Sequence, residues 1–191
     1  METPGARVFE SSVPGRDECR KLVAAVSGRL ASLDLTIAFG ESATAGCVAY
    51  EFSLTPGAGQ VLTGGIICYE EAVKKGLLKV PAALIEQYTA ESPQVTREIA
   101  LGVGRLLPAD VVVAVTGLVR PGGSESPEKP VGTIFFTVLF NGHCYDREIF
   151  ADGSPEAVVE TAIAEICNSL LSILSFEKAA GEGETYHYPA D

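Results

Sequence analysis

Ser42 and Lys74 are the residues whose types and placing suit covalent chemistry in this 191-residue sequence. A serine hydroxyl attacks a carbonyl carbon only when a base takes its proton, and histidine is the usual base. The two histidines are His143, inside a predicted hairpin, and His187, in an acidic tail, so a Ser-His-Asp triad is not expected. Lysine can fill the role when burial strips its ammonium of water and lowers its pKa. Both candidates follow predicted strands, where open α/β sheets place their ligand sites.

Each residue also has a plainer reading. Ser42 lies in the small-residue stretch 40–46 (Gly-Glu-Ser-Ala-Thr-Ala-Gly), where a serine can simply cap a helix. Lys74 and Lys75 can be a solvated helix pair, and Thr116, at the end of a valine-rich strand, can bond locally. Spacing alone leaves these alternatives open. The stretch 40–46 is neither a Walker motif, lacking Gly-Lys-Ser/Thr, nor a nucleophile elbow, because Thr44 stands where that pattern needs glycine. Cys68, beside Ile67 in an apolar run, reads as packing rather than as a nucleophile. The loop 124–133 is either a lid or a connector. No closed set of metal ligands assembles from the scattered cysteines and two histidines, so no metal and no cofactor are expected.

The elements that must position these residues alternate. Val23, Val26 and Leu30 mark a helix over 17–32, and residues 35–39 read as a short buried strand. Residues 61–69 form the next apolar run, followed by helical spacing over 70–79 and a short helix opening near Pro81. Ser92 and Pro93 read as cap and first turn of a helix with Val95, Ile99, Val103 and Leu106 on one face. Residues 110–116 have the composition of a central strand covered on both faces. Asn141-Gly142 is a hairpin signal between strands at 131–140 and 144–150, and a last helix spans 155–175. The pattern predicts an α/β fold, a three-layer α/β/α sandwich around a mixed, mostly parallel sheet.

Composition narrows the partners. With 47% hydrophobic residues and 20% charged ones, the chain has the makeup of a packed domain. The expected division is a flexible N-terminus (1–16), one domain (17–176) and an acidic flexible tail (177–191). A net charge of −11 disfavours nucleic acid and anionic lipid as partners. The odd number of cysteines, five, without C-x-x-C, suggests reduced thiols. No basic and apolar leader opens the sequence, and no run is read as reaching the roughly 18 apolar residues of a membrane span, so a cytoplasmic protein is expected.

Taken together, Glu-Ser-Ala-Thr-Ala-Gly (41–46), Gly-Gly-Ile-Ile-Cys-Tyr (64–69) with Lys74, Val-Thr-Gly (115–117) and Pro-Glu-Lys-Pro-Val-Gly-Thr (127–133) resemble the C-terminal domain of CinA. That family includes stand-alone nicotinamide mononucleotide deamidases, and the resemblance covers roughly residues 17–175. It implies hydrolysis of the carboxamide of nicotinamide mononucleotide to nicotinate mononucleotide and ammonia, a small-molecule nucleotide substrate, and a homodimer. The family's nucleophile falls on Ser42 and its base on Lys74. Glu41, Thr44, Gly46, Tyr69, Thr116, Gly117 and Arg120 fall at substrate-binding positions, with amides around Thr44 to Gly46 holding the oxyanion.

The sequence departs from the family pattern at Ala43, Ala45, Glu71, Val119 and Arg120. Two arginines usual in the family are replaced by Ser154 and Val158, leaving Arg120 and Lys129 as the nearest substitute cations. Two further outcomes fit the same residues: a non-catalytic relative that binds a nucleotide or a protein, and a hydrolase of another small amide.

Overall fold

The computed structural model describes residues 14–180, with side chains described to Ser175. The chain runs α1 (Arg16–Ser32), β1 (Ile37–Glu41), α2 (Cys47–Ser53), α3 (Ala58–Val61), β2 (Leu62–Ile67), α4 (Glu71–Gly76) and α5 (Ala82–Tyr88). It continues through α6 (Pro93–Leu106), β3 (Val111–Gly117), β4 (Thr133–Phe140), β5 (His143–Phe150) and α7 (Pro155–Ala180). Most of the expected N-terminal segment and tail lie outside the described residues. The backbone of α7, however, extends to Ala180, past the expected end of the domain.

The five strands lie in the order β2-β1-β3-β4-β5. β1 pairs parallel with β2 and β3, whereas β3–β4 and β4–β5 are antiparallel. Four strands therefore point one way and β4 alone opposes them, so the sheet is mixed as expected. Side-chain alternation feeds two cores from one run of sequence. Val111, Val113 and Val115 enter the core shared with α1, α2 and α7. Val112 and Ala114 enter the one shared with α5 and α6. Coverage on both faces explains why β3 reads as nearly continuous valine and alanine.

Local chemistry sets the boundaries that matter for the site. Ser92 accepts from the Val95 amide at 3.4 Å, and Pro93 opens α6 as expected. The Phe39 and Phe52 rings meet at a tilt of 54° with centroids 5.0 Å apart, tying β1 to α2. Truncating such a buried ring costs roughly 3–5 kcal/mol. At Gly40 an added Cβ would lie 2.7 Å from Ile99 Cγ2 and 2.9 Å from Val103 Cγ2, so α6 packs directly on the strand just before Ser42.

By length and composition, Pro155–Ser175 could cross a bilayer, a correction to the absence of any such run expected from sequence. In the fold its apolar residues Ile163, Ile166, Leu170 and Leu174 are instead part of the core against α1 and the sheet. Glu41 aligns with Ile67 of β2 and Val115 of β3, so three strands end at one edge. The loops 42–46, 68–70 and 118–132 thus meet, at the switch point where β1 has neighbours on either side.

Candidate active site

Ser42 prolongs β1 by one residue, its amide donating to Val115 O at 3.0 Å. The chain then reverses through two left-handed residues, Ala45 (φ 50°) and Gly46 (φ 97°), before α2 begins at Cys47. Gly46 is the N-cap of α2, so the helix-cap reading of Ser42 does not hold. An alanine in this left-handed region carries about 1 kcal/mol of strain, and Glu41 is positioned to offset it.

The Glu41 carboxylate is 1% exposed and accepts four hydrogen bonds from the turn it precedes. Oε2 takes the Thr44 hydroxyl at 2.6 Å, the Gly46 amide at 2.9 Å and the Val48 amide at 3.1 Å. Oε1 takes the Ala49 amide at 2.9 Å. A buried carboxylate at the start of a helix is stabilised by such amides. Glu41 is therefore engaged in holding the Ser42 turn, a correction to its expected contact with substrate.

Lys74 enters from α4. Its side chain is 1% exposed, and Nζ donates to Cys68 O at 2.7 Å, Tyr69 O at 2.9 Å and Ser42 Oγ at 3.2 Å. Burial lowers its pKa from the ordinary lysine value, and the opposing pull of Cys68, Glu91, Glu71 and Glu70 is smaller. A neutral amine has two hydrogens and one lone pair, so two carbonyls and one hydroxyl are a matched set of partners. The ammonium form donates to all three partners, whereas a neutral amine donating to Cys68 O and Tyr69 O would turn its lone pair toward the Ser42 hydroxyl. Glu71 accepts from Lys75 at 3.1 Å on the exposed side of α4, and Lys74 forms no salt bridge among the described residues.

The Cys68 thiol, wholly buried, is pushed up to about 11 by desolvation, which makes it a poor nucleophile, in line with the packing reading. Among the described residues no three His, Cys, Asp or Glu side chains converge as a metal site.

Ser42 opens into a cavity of about 860 Å³ that is also lined by Ala43, Thr44, Tyr69, Gly117 and Arg120. The amides available for an oxyanion differ from those expected. Ala45 N–H bonds Ser42 O at 3.2 Å, and Gly46 N–H is taken by Glu41. The N–H groups of Ala43 and Thr44 meet no acceptor among the described residues. The candidate donors therefore shift to Ala43 and Thr44. Gly117 remains at the wall, where an added Cβ would lie 2.7 Å from Thr133 O.

Other expected positions change role. Thr116 is wholly buried and pairs with the Thr96 hydroxyl at 2.7 Å, and Thr96 in turn donates to Ser92 O. It braces α6 against β3 and does not line the cavity, a correction to its expected contact with substrate. Lys129 is no substitute cation. Its amine is held by Thr89 Oγ1 at 2.6 Å, Ser124 Oγ at 2.7 Å and Glu91 O at 2.9 Å, tethering the 118–132 loop to the α5–α6 joint. That tether makes the loop an anchored connector in this structure. Ser154 caps α7, accepting from Ala157 N at 3.3 Å, and Val158 is buried in the core.

Sequence inspection does not single out Glu156 and Glu160, which line the same cavity from the first turns of α7. Their i, i+4 spacing was the available signal, since it puts both on one helix face.

The geometry has counterparts among known proteins. The sequence profile of the CinA C-terminal domain matches residues 19–174. A CinA-like protein of Synechococcus sp. (strain CC9311) is 43% identical over 123 residues, which is 64% of this chain and 29% of that protein. One from Anaeromyxobacter sp. (strain K) is 42% identical over 134 residues, 70% of this chain and 31% of that protein. The chain thus spans about a third of the length of these relatives. Among solved structures, a competence-damaged protein (CinA) superfamily protein from Escherichia coli superposes with TM-score 0.78 at 27% identity, covering 88% of this chain and 99% of that one. A competence/damage inducible protein from Agrobacterium tumefaciens gives TM-score 0.78 at 26% identity, covering 86% and 99%. With a profile that matches most of its length and a fold shared with solved members, the chain belongs to the CinA C-terminal domain family.

Proposed function

We propose that the protein hydrolyses the primary carboxamide of a small molecule through Ser42 and Lys74, and that nicotinamide mononucleotide, the substrate implied by the family resemblance, is the first to assay. The observation that carries the reading is the buried Lys74 amine, 3.2 Å from Ser42 Oγ and otherwise bonded only to neutral carbonyls. A lysine serving structure alone would gain most from a carboxylate partner, and Glu71 is turned away to Lys75. This also favours a hydrolase over the non-catalytic alternative.

In the first half of the reaction, Lys74 takes the Ser42 proton and Oγ attacks the amide carbon. The oxyanion lies against the Ala43 and Thr44 amides. Lys74 passes its proton to the departing nitrogen, ammonia leaves, and an acyl ester remains on Ser42. Water then gives a proton to Lys74 and attacks the ester, and Ser42 recovers that proton as the carboxylic acid departs. Ser42→Ala removes the nucleophile and is expected to lower ammonia release by about 10³-fold or more with an unchanged circular dichroism spectrum. Undiminished turnover in a folded Ser42→Ala protein would sink the assignment.

A second substrate reading, another small amide, is favoured by one feature. The cavity rim carries more carboxylates than cations, an awkward setting for a phosphate.

A further inference from the structure

The cavity at Ser42 is lined by the carboxylates of Glu51, Glu70, Glu91, Glu156 and Glu160, against the guanidinium groups of Arg16 and Arg120. Arg16 lies 3.7 Å from Glu51, which also receives Arg20 at 3.4 Å. Glu91 accepts the Ser124 hydroxyl at 2.5 Å. Glu70, Glu156 and Glu160 form no salt bridge among the described residues.

The long helix α7 begins at this rim, where its first amides would ordinarily favour a phosphate. Here the chain supplies its own anion. The Glu156 carboxyl is held below its ordinary value first by its own backbone amide, then by the Ser154 hydroxyl, with a smaller contribution from Arg120. Ser154 Oγ also takes the Ala157 amide. A phosphate placed there would meet Glu156 and Glu160 as like charges. Of the nearby cations, Lys74 is the buried base, Lys129 is bonded into the loop and Arg16 is engaged by Glu51, which leaves Arg120 alone against Glu156 and Glu160.

We infer that the amide hydrolysed at Ser42 has a positively charged body and no phosphate, and that Glu156 and Glu160 select for that charge. An N-alkylpyridinium carboxamide has this chemistry, with the carboxamide at Ser42 and the ring cation toward the first turns of α7. The inference rests on the amide-hydrolase reading and decides between its two kinds of substrate.

Calorimetric titration of the Ser42→Ala protein isolates binding from turnover. Nicotinamide riboside, a pyridinium without phosphate, is expected to bind about tenfold more tightly than nicotinamide mononucleotide, the effect of two partly screened carboxylates. Adding Glu156→Gln and Glu160→Gln is expected to shrink that ratio to about threefold or less. Equal or tighter binding of the mononucleotide overturns the inference, as does a ratio unmoved by the two glutamines or no binding of either compound. Ammonia release by the native protein reports separately. Preference for the riboside without ammonia defeats the hydrolase reading but keeps the charge selection. Faster release from the mononucleotide does the reverse.

Discussion

At the floor of the cavity the buried polar side chains have defined partners: Glu41 receives three amides and a hydroxyl, and Lys74 meets two carbonyls and Ser42. At the rim, Glu70, Glu156 and Glu160 form no salt bridge among the described residues, and Arg120 is exposed. The floor holds one acid and one base while the rim holds more acid than base, and the charges act differently. Where water is excluded, one misplaced charge is costly, and the floor is accordingly closed by neutral or fully bonded groups. Where water enters, charges cost little and are free to bias which ligand arrives. On the proposed reading, the floor serves reaction and the rim selection.

The strongest way to break this division is at Lys74. Lys74→Met keeps much of the bulk but removes the base, and kcat/KM for ammonia release is expected to fall by about 10³-fold or more. A fall of less than tenfold would transfer the base to another group.

Next comes Glu41, whose loss strands three amides and the Thr44 hydroxyl. Glu41→Ala is expected to cost roughly 3 kcal/mol in urea unfolding and to reduce activity with it. Full activity with only a marginal loss of stability would show that the Ser42 turn holds itself.

The pH dependence sharpens the same contrast. Only neutral Lys74 accepts the Ser42 proton, so activity should rise with pH along a single-proton limb centred below the ordinary lysine value. Because the unfolded chain binds a proton that the folded site rejects, stability should rise with pH over the same interval, up to the unfolded lysine value. An activity profile flat across that interval would contradict a buried lysine base.

The smallest effect is expected on the exposed side of α4. Glu71→Gln removes the partner of Lys75 and should change kcat/KM by less than about twofold, because exposed pairs contribute about 0–1 kcal/mol. A large gain in activity would mean that Glu71 does govern Lys74 across the helix.

Much of the architecture was legible in the sequence because it follows from periodicity and local chemistry. The valine run of β3, the Ser92-Pro93 start of α6 and the Asn141-Gly142 hairpin each carry a local signal strong enough to read alone. The short α3 had none, being four residues with two left-handed or small neighbours and no stripe. The bilayer-length apolar character of α7 does not show as a run, because interspersed polar residues break the run though not the average.

For the site, the sequence determined which chemistry was available: a serine in a small-residue turn after a strand, a lysine after the next strand, and no well-placed histidine. It could not say which neighbouring lysine is buried, and Lys74 and Lys75 differ only in the helix face that the packing of α4 assigns to each. Nor could it tell that Glu41 bonds to its own loop, that Thr116 turns to Thr96, or that Lys129 is bound by Thr89 and Ser124. Those outcomes depend on distances between residues far apart in the chain, and burial and partnership, which set charge state and reactivity, exist only once the tertiary structure has brought them together.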